Sequence, residues 1–395
     1  MSDNFVRLRQ RHLTFSARHS IALLSICLVF FLSACSPPQR VSANERIFRK
    51  FSLEFLDQYE IPKTTFEDTV VGGLSAIAYD RKQDRFYVLS DDRGRISPPR
   101  FYTFDLDVGQ TDDGQIKIEN FQPESVTLIK DEQGNNYPVG EIDPEGLAIS
   151  PRNTIFISSE GNTVEDIEPF VAEFELGGKK IEDVRLPKRF LSSEDPDITQ
   201  GVQENLAFES LTINSVGLPE DPFRVFTATE SSLIQDTSLE TEASERIRFL
   251  HYVINSVGNP ILVAEHLYLL EPAPVEVISN GLTELLALQT EGYFFSLERT
   301  FGFSGAGAKI FQIVIGDATD TTNIASLQGD LGQVRTLKKQ LLLDLQDLDI
   351  YLDNLEGMTI GPRLPDGSRS LLLISDDNFN EEQINQLLLF RLTEN

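Results

Sequence analysis

"DNLEGMTIGPRLPDGSRSLLLISDDNF" occupies residues Asp353–Phe379, and "GGLSAIAYDRKQDRFYVLSDDRG" occupies Gly72–Gly94. Each opens with a small-residue turn and a short apolar strand, crosses a polar turn, and ends in a second strand closed by Ser-Asp-Asp. Three more stretches repeat the phrase: "EGLAISPRNTIFISSEGN" (Glu145–Asn162), "ESLTINSVGLPEDPFRVFTATESS" (Glu209–Ser232) and "ELLALQTEGYFFSLERTFG" (Glu284–Gly302). Aligned on their first strands, the five copies put Ser75, Glu145, Glu209, Glu284 and Glu356 in register, 70, 64, 75 and 72 residues apart. Their second strands end at Asp91, Glu160, Glu230, Glu298 and Asp376. Near-constant spacing marks a repeat architecture, in which each unit buries its apolar faces against its neighbours.

Each hairpin is followed by a third run with period-two alternation: "RFYTFDLD" (Arg100–Asp107), "PFVAEFEL" (Pro169–Leu176), "IRFLHYVI" (Ile247–Ile254), "AKIFQIVI" (Ala308–Ile315) and "QLLLFRL" (Gln386–Leu392). Alternation with β-branched and aromatic residues predicts strands. Fourth strands are expected at Glu124–Lys130, Ile181–Phe190, Asn259–Leu270 and Val334–Leu345, the last of which periodicity leaves open between strand and helix. The fifth repeat has no fourth strand, while "FRKFSLEFLDQY" (Phe48–Tyr59) stands before the first repeat with no unit of its own. The prediction is an all-β protein, a β-propeller of four-stranded blades with five repeats visible and five or six blades. The N-terminal strand completes the last blade, which removes a bare sheet edge. A β-sandwich with long loops does not predict equal spacing.

The chain has 395 residues and a formal net charge of −28. Residues 1–34 hold four arginines and one aspartate, so of 34 basic and 62 acidic residues the remainder keeps 30 and 61, a net −31. That field disfavours nucleic acid and favours cations, and it also suits a soluble acidic surface. The basic "RLRQRHLTFSARHS", the apolar "IALLSICLVFFL" (Ile21–Leu32) and "SAC" read as an export signal. A twelve-residue helix rises roughly 18 Å, short of a bilayer core of about 30 Å. Leu32-Ser33-Ala34-Cys35 resembles a bacterial lipobox, with Cys35 as the lipidated residue. The expected layout is a lipoprotein signal peptide (1–34), a tether (35–45) and one propeller domain (46–395). The protein is then a monomer of the bacterial cell envelope, on the periplasmic side of a membrane or at the cell surface, touching the membrane through its lipid anchor only. Cys27 leaves with the signal, so the folded domain has no disulfide and rests on packing.

In a propeller blade the innermost strand comes first, and the start of strand one lies on the same face as the end of strand two. The repeat acids therefore converge near the channel mouth, where Asp92 and Asp377 extend two of the pairs. Two like charges 4 Å apart repel by about 4 kcal/mol at an effective dielectric of 20. Protonation, basic partners or a metal must offset this. Hard oxygen donors suit Ca²⁺ better than zinc. The candidate metal ligands are Asp91, Asp92, Glu145, Glu160, Glu209, Glu230, Glu298, Glu356, Asp376 and Asp377, with Asn162, Asn205, Asn354 and Asn378 beside them. Any of these acids can instead accept backbone hydrogen bonds from the next blade. Arg93, Arg95 and Arg299 are candidate binders of an anionic substrate group, or partners of the neighbouring acids.

His251 and His266 fall inside predicted strands, where a structural role is expected. Without cysteine in the mature domain, thiol nucleophiles and His/Cys metal sites are excluded. No G-x-S-x-G elbow occurs, and "GFSGAGAK" (Gly302–Lys309) lacks the GK[ST] ending of a phosphate loop.

The motifs "GGLSAIAYD…FYVLSDDRG…RFYTFDLD", "DPEGLAIS", "ENLAFESLTI", "SLERTFG", "LLLDL" and "DNLEGMTIGPRLPDGSRSLLLISDDNF" together resemble the phytase-like domain of bacterial proteins described as having esterase-like activity of phytase. The resemblance covers roughly residues 65–395 and implies a propeller with repeated Asp and Glu in catalysis on phosphoesters. It singles out Asp91, Asp92, Glu145, Glu356, Asp376 and Asp377, with Glu356 and Glu145 as catalytic candidates. Ser75 and Leu285 depart from the pattern, and Lys and Arg are few for a substrate with six phosphates. The leading expectation is a Ca²⁺-dependent phosphoric-ester hydrolase acting on a small phosphoester or other anionic ligand. The alternatives are a non-catalytic propeller that binds a ligand or protein, and a lactonase or organophosphate-type hydrolase.

Overall fold

The computed structural model describes residues 47–394 apart from 194, 196, 215–217, 238–243, 274–276 and 304. The export signal, the tether and Cys35 lie outside the described residues. Strand β1 (Phe51–Ile61) comes first, followed by a two-stranded hairpin, β2 (Thr64–Phe66) and β3 (Thr69–Val71). Five antiparallel four-stranded sheets follow. Blade I holds β4 (Leu74–Asp80), β5 (Arg85–Ser90), β6 (Arg100–Gln110) and β7 (Ile116–Leu128). Blade II holds β8 (Pro144–Ile149), β9 (Thr154–Ser159), β10 (Phe170–Glu175) and β11 (Lys180–Val184). Blade III holds β12 (Phe208–Asn214), β13 (Phe223–Thr229), β14 (Arg246–Ile254) and β15 (Ile261–Leu269). Blade IV holds β16 (Val277–Ala287), β17 (Tyr293–Gly302), β18 (Gly305–Val314) and β19 (Lys338–Asp344). Blade V holds β20 (Asn354–Arg363), β21 (Arg369–Asp376) and β22 (Asn385–Glu394), and takes β1 as its outer strand.

The first strands of successive blades pack side by side, and β20 packs against β4, so the ring closes with five blades. The open choice at Val334–Leu345 resolves as a strand, Lys338–Asp344. Among the described residues there is no α-helix, and none is long and apolar enough to cross a membrane.

Both faces of the inner strands are covered, which is why the second strands read as unbroken apolar runs. In β5, Phe86 and Val88 pack toward blade V, while Tyr87 and Leu89 pack toward blade II. Blade III repeats this: Val225 faces Phe156 and Val171 of blade II, and Phe226 faces Leu285 and Phe294 of blade IV. The Phe226 and Phe294 rings meet edge to face at 4.7 Å. A strand buried on both faces needs no polar alternation.

Closure runs through β1 and β22, antiparallel from Phe51 opposite Glu394 to Ile61 opposite Asn385, with one bulge between Phe55 and Asp57. Phe55 meets Phe390 of its own blade at 5.6 Å, and Phe51 meets Phe295 of blade IV at 5.2 Å. Removing β1 strips β22 of its partner and leaves a bare edge. Deletion of residues 48–61 is expected to abolish the cooperative thermal transition and yield aggregate by size-exclusion chromatography. The milder Phe55→Ala is expected to cost about 2–3 kcal/mol in chemical denaturation.

Candidate functional site

In all five blades the ladder between the first and second strands slips by one residue at the same place. The slip falls between Leu74 and Ala76, Pro144 and Leu147, Phe208 and Ser210, Leu282 and Glu284, and Leu355 and Gly357. A bulge re-aims the side chain it carries. The bulged residues are Ser75, Glu145, Glu209, Thr283 and Glu356. Opposite the start of each bulge stand Ser90, Ser159, Thr229, Glu298 and Ser375. The residues that follow are Asp91, Glu160, Glu230, Arg299 and Asp376.

Blade IV therefore differs from its expected alignment by one residue. Thr283, not Glu284, is the bulged residue, and Arg299, not Glu298, occupies the position that is acidic in the other four blades. Because side chains alternate across a strand, a one-residue slip reverses the face. Glu298 takes the place of the buried serines and threonine: it accepts hydrogen bonds from Glu271 N–H at 3.1 Å and from the Tyr268 hydroxyl, and pairs with Lys339 Nζ at 2.6 Å. Glu284 sits where the other blades carry Ala76, Gly146, Ser210 and Gly357. It is buried and accepts from Leu285 N–H at 2.8 Å and from Leu211 N–H of blade III at 3.3 Å.

Above this ring lies a cavity of about 680 Å³. Its lining includes Asp91, Asp92, Arg93, Arg95, Glu145, Asn205, Glu209, Arg299, Asn354, Glu356, Asp376 and Asn378. The structure thus brings together acids from four blades that are far apart in sequence. Glu160 and Glu230 are buried and do not reach the lining, but their carboxylates join those that do. Asp143, Glu145 and Glu160 form one cluster, and Glu160, Glu209 and Glu230 another, with ligand atoms within 4.8 Å of one another in each. Both clusters could hold a metal ion. Sequence reasoning missed Asp143, two residues before Glu145 in "DPEG".

The buried oxygens of this site are incompletely satisfied. Glu209 Oε2, Asp91 Oδ1 and Asp143 Oδ1 are buried without hydrogen-bond partners among the described residues, while Asp143 Oδ2 is taken by Arg93. Asp143 has the Arg93 guanidinium beside it, and Arg93 in turn donates to Asn205 Oδ1 at 2.6 Å. Burial, and then the neighbouring carboxylates Asp376 and Glu356, hold the Asp91 carboxyl well above the usual carboxylate range. Burial does the same to Glu145, Glu160, Glu209 and Glu356. It pushes Asp376 up to about 7, against the Asn378 N–H, and Asp143 to about 6, against Arg93.

Arg299 is the internal counter-ion. It pairs with Glu230 at 2.8 Å and Glu356 at 3.2 Å, and donates to Asn354 Oδ1. The glycine opposite is required by this contact, since a Cβ at Gly281 would fall 2.0 Å from Glu230 Oε1. Gly73, at φ +61°, is likewise confined by Asp91. Of the three candidate anion-binding arginines, Arg93 and Arg299 are engaged by acids. Arg95 is exposed, lines the cavity and makes no ion pair among the described residues.

Two of the expected ligands are tied up by backbone. Asp92 accepts from Arg95, Ile96 and Ser97 N–H at 2.9, 3.2 and 2.7 Å and pairs with buried Arg100 at 2.9 Å. Asp377 accepts from Gly73 and Phe379 N–H at 2.8 and 3.2 Å, fastening blade V to blade I. Asn162 caps a short 3₁₀ turn by accepting from Val164 and Glu165 N–H. Neither histidine reaches the cavity. His251 stacks on Phe226 at 4.5 Å and is driven down to about 4 by burial, then by Arg224. His266 is lowered by burial.

The phytase-like family, described as esterase-like activity of phytase, matches residues 69–379. No curated protein matches the chain. Solved structures similar to it include a glycosyl hydrolase from Bacteroides ovatus, at 11% identity and a TM-score of 0.40 over 87% of this chain and 93% of that one. A beta-fructofuranosidase from Bombyx mori matches at 11% identity and 0.39, over 96% and 70%. A putative glycoside hydrolase from Parabacteroides distasonis matches at 10% and 0.37, over 89% and 95%.

Arg299→Met leaves Glu230 and Glu356 buried without their cation, and is expected to cost about 3–5 kcal/mol in chelator-containing denaturation series. The raised carboxyls keep their protons in the folded state after the unfolded chain has lost them. Their contribution to stability is therefore fully present below the ordinary carboxylate range and is lost as pH climbs toward the folded value, about 7 for Asp376. Loss of Arg299 raises Glu209, Glu356 and Asp376 further, so the variant's deficit widens from pH 5 to pH 8.

Proposed function

The chain belongs to the phytase-like family described as esterase-like activity of phytase, and from that premise we propose that it is a calcium-dependent phosphoric-ester hydrolase of the bacterial cell envelope. The observation that carries this reading is the pair of carboxylate clusters sharing Glu160, with buried Asp143 Oδ1 and Glu209 Oε2 that have no hydrogen-bond partner among the described residues. Orphaned carboxylate oxygens in a site with so few cations fit a divalent ion. The donors are hard oxygens, without thiol or imidazole, which favours Ca²⁺ over zinc. A bound cation supplies a Lewis acid for phosphoryl oxygens and lowers the pKa of a coordinated water.

The chain's own residues divide the remaining work. Glu160, with Asp143 and Glu145 in one cluster or Glu209 and Glu230 in the other, would hold the cation. Arg95, which makes no ion pair among the described residues, receives the anionic group of the substrate. Glu356 is anchored by Arg299 and by Asn354 Nδ2 at 2.7 Å, and its raised pKa suits a group that carries a proton to or from the reacting oxygens. The same constellation would serve a lactone or organophosphate ester, and without turnover it would be a ligand-binding mouth. Export and a lipid on Cys35 complete the proposal, with the acidic propeller a monomer that engages no nucleic acid.

Elemental analysis of the purified protein is expected to find calcium. Hydrolysis should appear in a panel of phosphomonoester, phosphodiester and lactone, and stop with chelator. Glu209→Gln should weaken calcium binding roughly tenfold or more. Glu356→Gln should lower kcat roughly 10²–10⁴-fold with calcium still bound. Ligation strips protons from the raised carboxyls, so calorimetric calcium affinity should climb from pH 5 to pH 8. Absence of both metal and chelator-sensitive turnover would leave the ligand-binding reading. Cys35→Ser should move the protein from the membrane to the soluble fraction.

A further inference from the structure

Blade IV differs from blades I to III at the mouth in length as well as in charge. Strands β5, β9 and β13 end at Ser90, Ser159 and Thr229, one residue short of the ring acid. Strand β17 continues through Arg299 to Gly302. Phe301 lies two residues beyond Arg299 and so on the same face of the strand. It lines the cavity and is 42% exposed.

Two more apolar side chains line the cavity from other blades. Ile96 of blade I is 51% exposed, and it is not on a slack loop: its N–H and those of Arg95 and Ser97 are held by the buried Asp92 carboxylate. Phe379 of blade V sits in the left-handed region at φ 51°, after Asn378 at φ 47°. Bulky residues are rare there, and the conformation persists only when its surroundings enforce it. The enforcing contacts are Asn378 N–H to Asp376 Oδ1 at 2.8 Å and Phe379 N–H to Asp377 Oδ1 at 3.2 Å. Thus two of the carboxylates that build the mouth also fix the backbone that presents Phe379.

We infer that Ile96, Phe301 and Phe379 form an apolar subsite for the alcohol portion of the ester, so that the substrate is a phosphoester with one anionic group and an alkyl or aryl group. The inference rests on the hydrolase reading above and adds the substrate class. Half-exposed Ile and Phe held by fixed backbone are costly in water and gain by covering an apolar ligand group. The charge count points the same way. Arg93 and Arg299 are neutralised by acids, leaving Arg95 to meet one phosphate, and a polyphosphorylated polyol would face uncompensated carboxylates. In the reaction, water oxygen forms the new P–O bond as the bond from phosphorus to the alcohol oxygen breaks. One water proton ends on the alcohol and the other stays with phosphate.

The test compares hexyl phosphate, glycerol 3-phosphate and inositol hexakisphosphate with the calcium-loaded full protein. The expected kcat/KM for hexyl phosphate exceeds that for glycerol 3-phosphate by about tenfold or more, with inositol hexakisphosphate poorest. Phe301→Ser and, separately, Ile96→Ser should each reduce the hexyl-to-glycerol ratio several-fold through KM, with thermal melting reporting that the fold is retained. Equal kcat/KM for the two monoesters, a preference for inositol hexakisphosphate, or a ratio unmoved by both variants would overturn the inference. If neither monoester is hydrolysed, the hydrolase reading falls. Calorimetric binding of the same two esters in calcium then decides the apolar subsite, with equal affinities sinking it.

Discussion

Arg299 stands where four other blades carry Asp91, Glu160, Glu230 and Asp376, and its ion pairs to Glu230 and Glu356 hold an acidic ring in a buried place. Like charges at such separations repel by several kcal/mol even at an effective dielectric of 20. The protein meets this repulsion unequally. Blades III, IV and V share a built-in guanidinium. Around blade II, Arg93 reaches Asp143, and burial and neighbouring carboxylates outweigh the Ala207 N–H at Glu160 and the field of Arg299 at Glu209. The two clusters able to hold an ion meet at Glu160, and one of them reaches Glu230, the partner of Arg299. Two arginines therefore compensate the mouth only in part, and Glu145 and Glu209 have no ion pair among the described residues.

The acids of the mouth differ in role because they differ in donors. Asp92 and Asp377 are surrounded by backbone N–H groups, and Glu298 by Tyr268, Lys339 and the Glu271 N–H. A carboxylate satisfied in this way holds loops and blades in place. Asp143, Glu209 and Asp91 each retain one oxygen with no donor among the described residues. An unsatisfied buried oxygen is costly and persists where something outside the fold can complete it. Residue type alone does not separate the two kinds, since both occur in the same Ser-Asp-Asp phrase.

Much of this was legible in the chain. Five hairpins at near-equal spacing, third strands that alternate and an orphan N-terminal strand lead to a ring closed by β1, because strand periodicity and burial are local properties. Asp91, Glu145, Glu209, Glu356 and Asp376 follow from the same repeat, and all line the cavity. Blade IV was misaligned because its acids were matched to acids. The apolar frames "FYVLSDD", "IFISSEG", "VFTATES", "FFSLERT" and "LLLISDD" carry the correct register: Glu298 falls under the Ser/Thr column and Arg299 under the acids. Core positions are the better ruler, since packing fixes which face a residue takes, whereas a carboxylate is tolerated on either face if it finds donors.

The sequence by itself determined the blade, its repetition and the gathering of acids at one end, since alternation, turn chemistry and spacing suffice for these. Only the tertiary structure decided which acids are saturated, that Arg299 faces Glu230 and Glu356, and that Asp143 joins Glu145 and Glu160. Those relations depend on bulges that shift side chains by one residue and on contacts between blades many tens of residues apart. A repeat in sequence records the period of the backbone, while the identity of a side chain's neighbour is set by how the closed ring brings separate periods face to face.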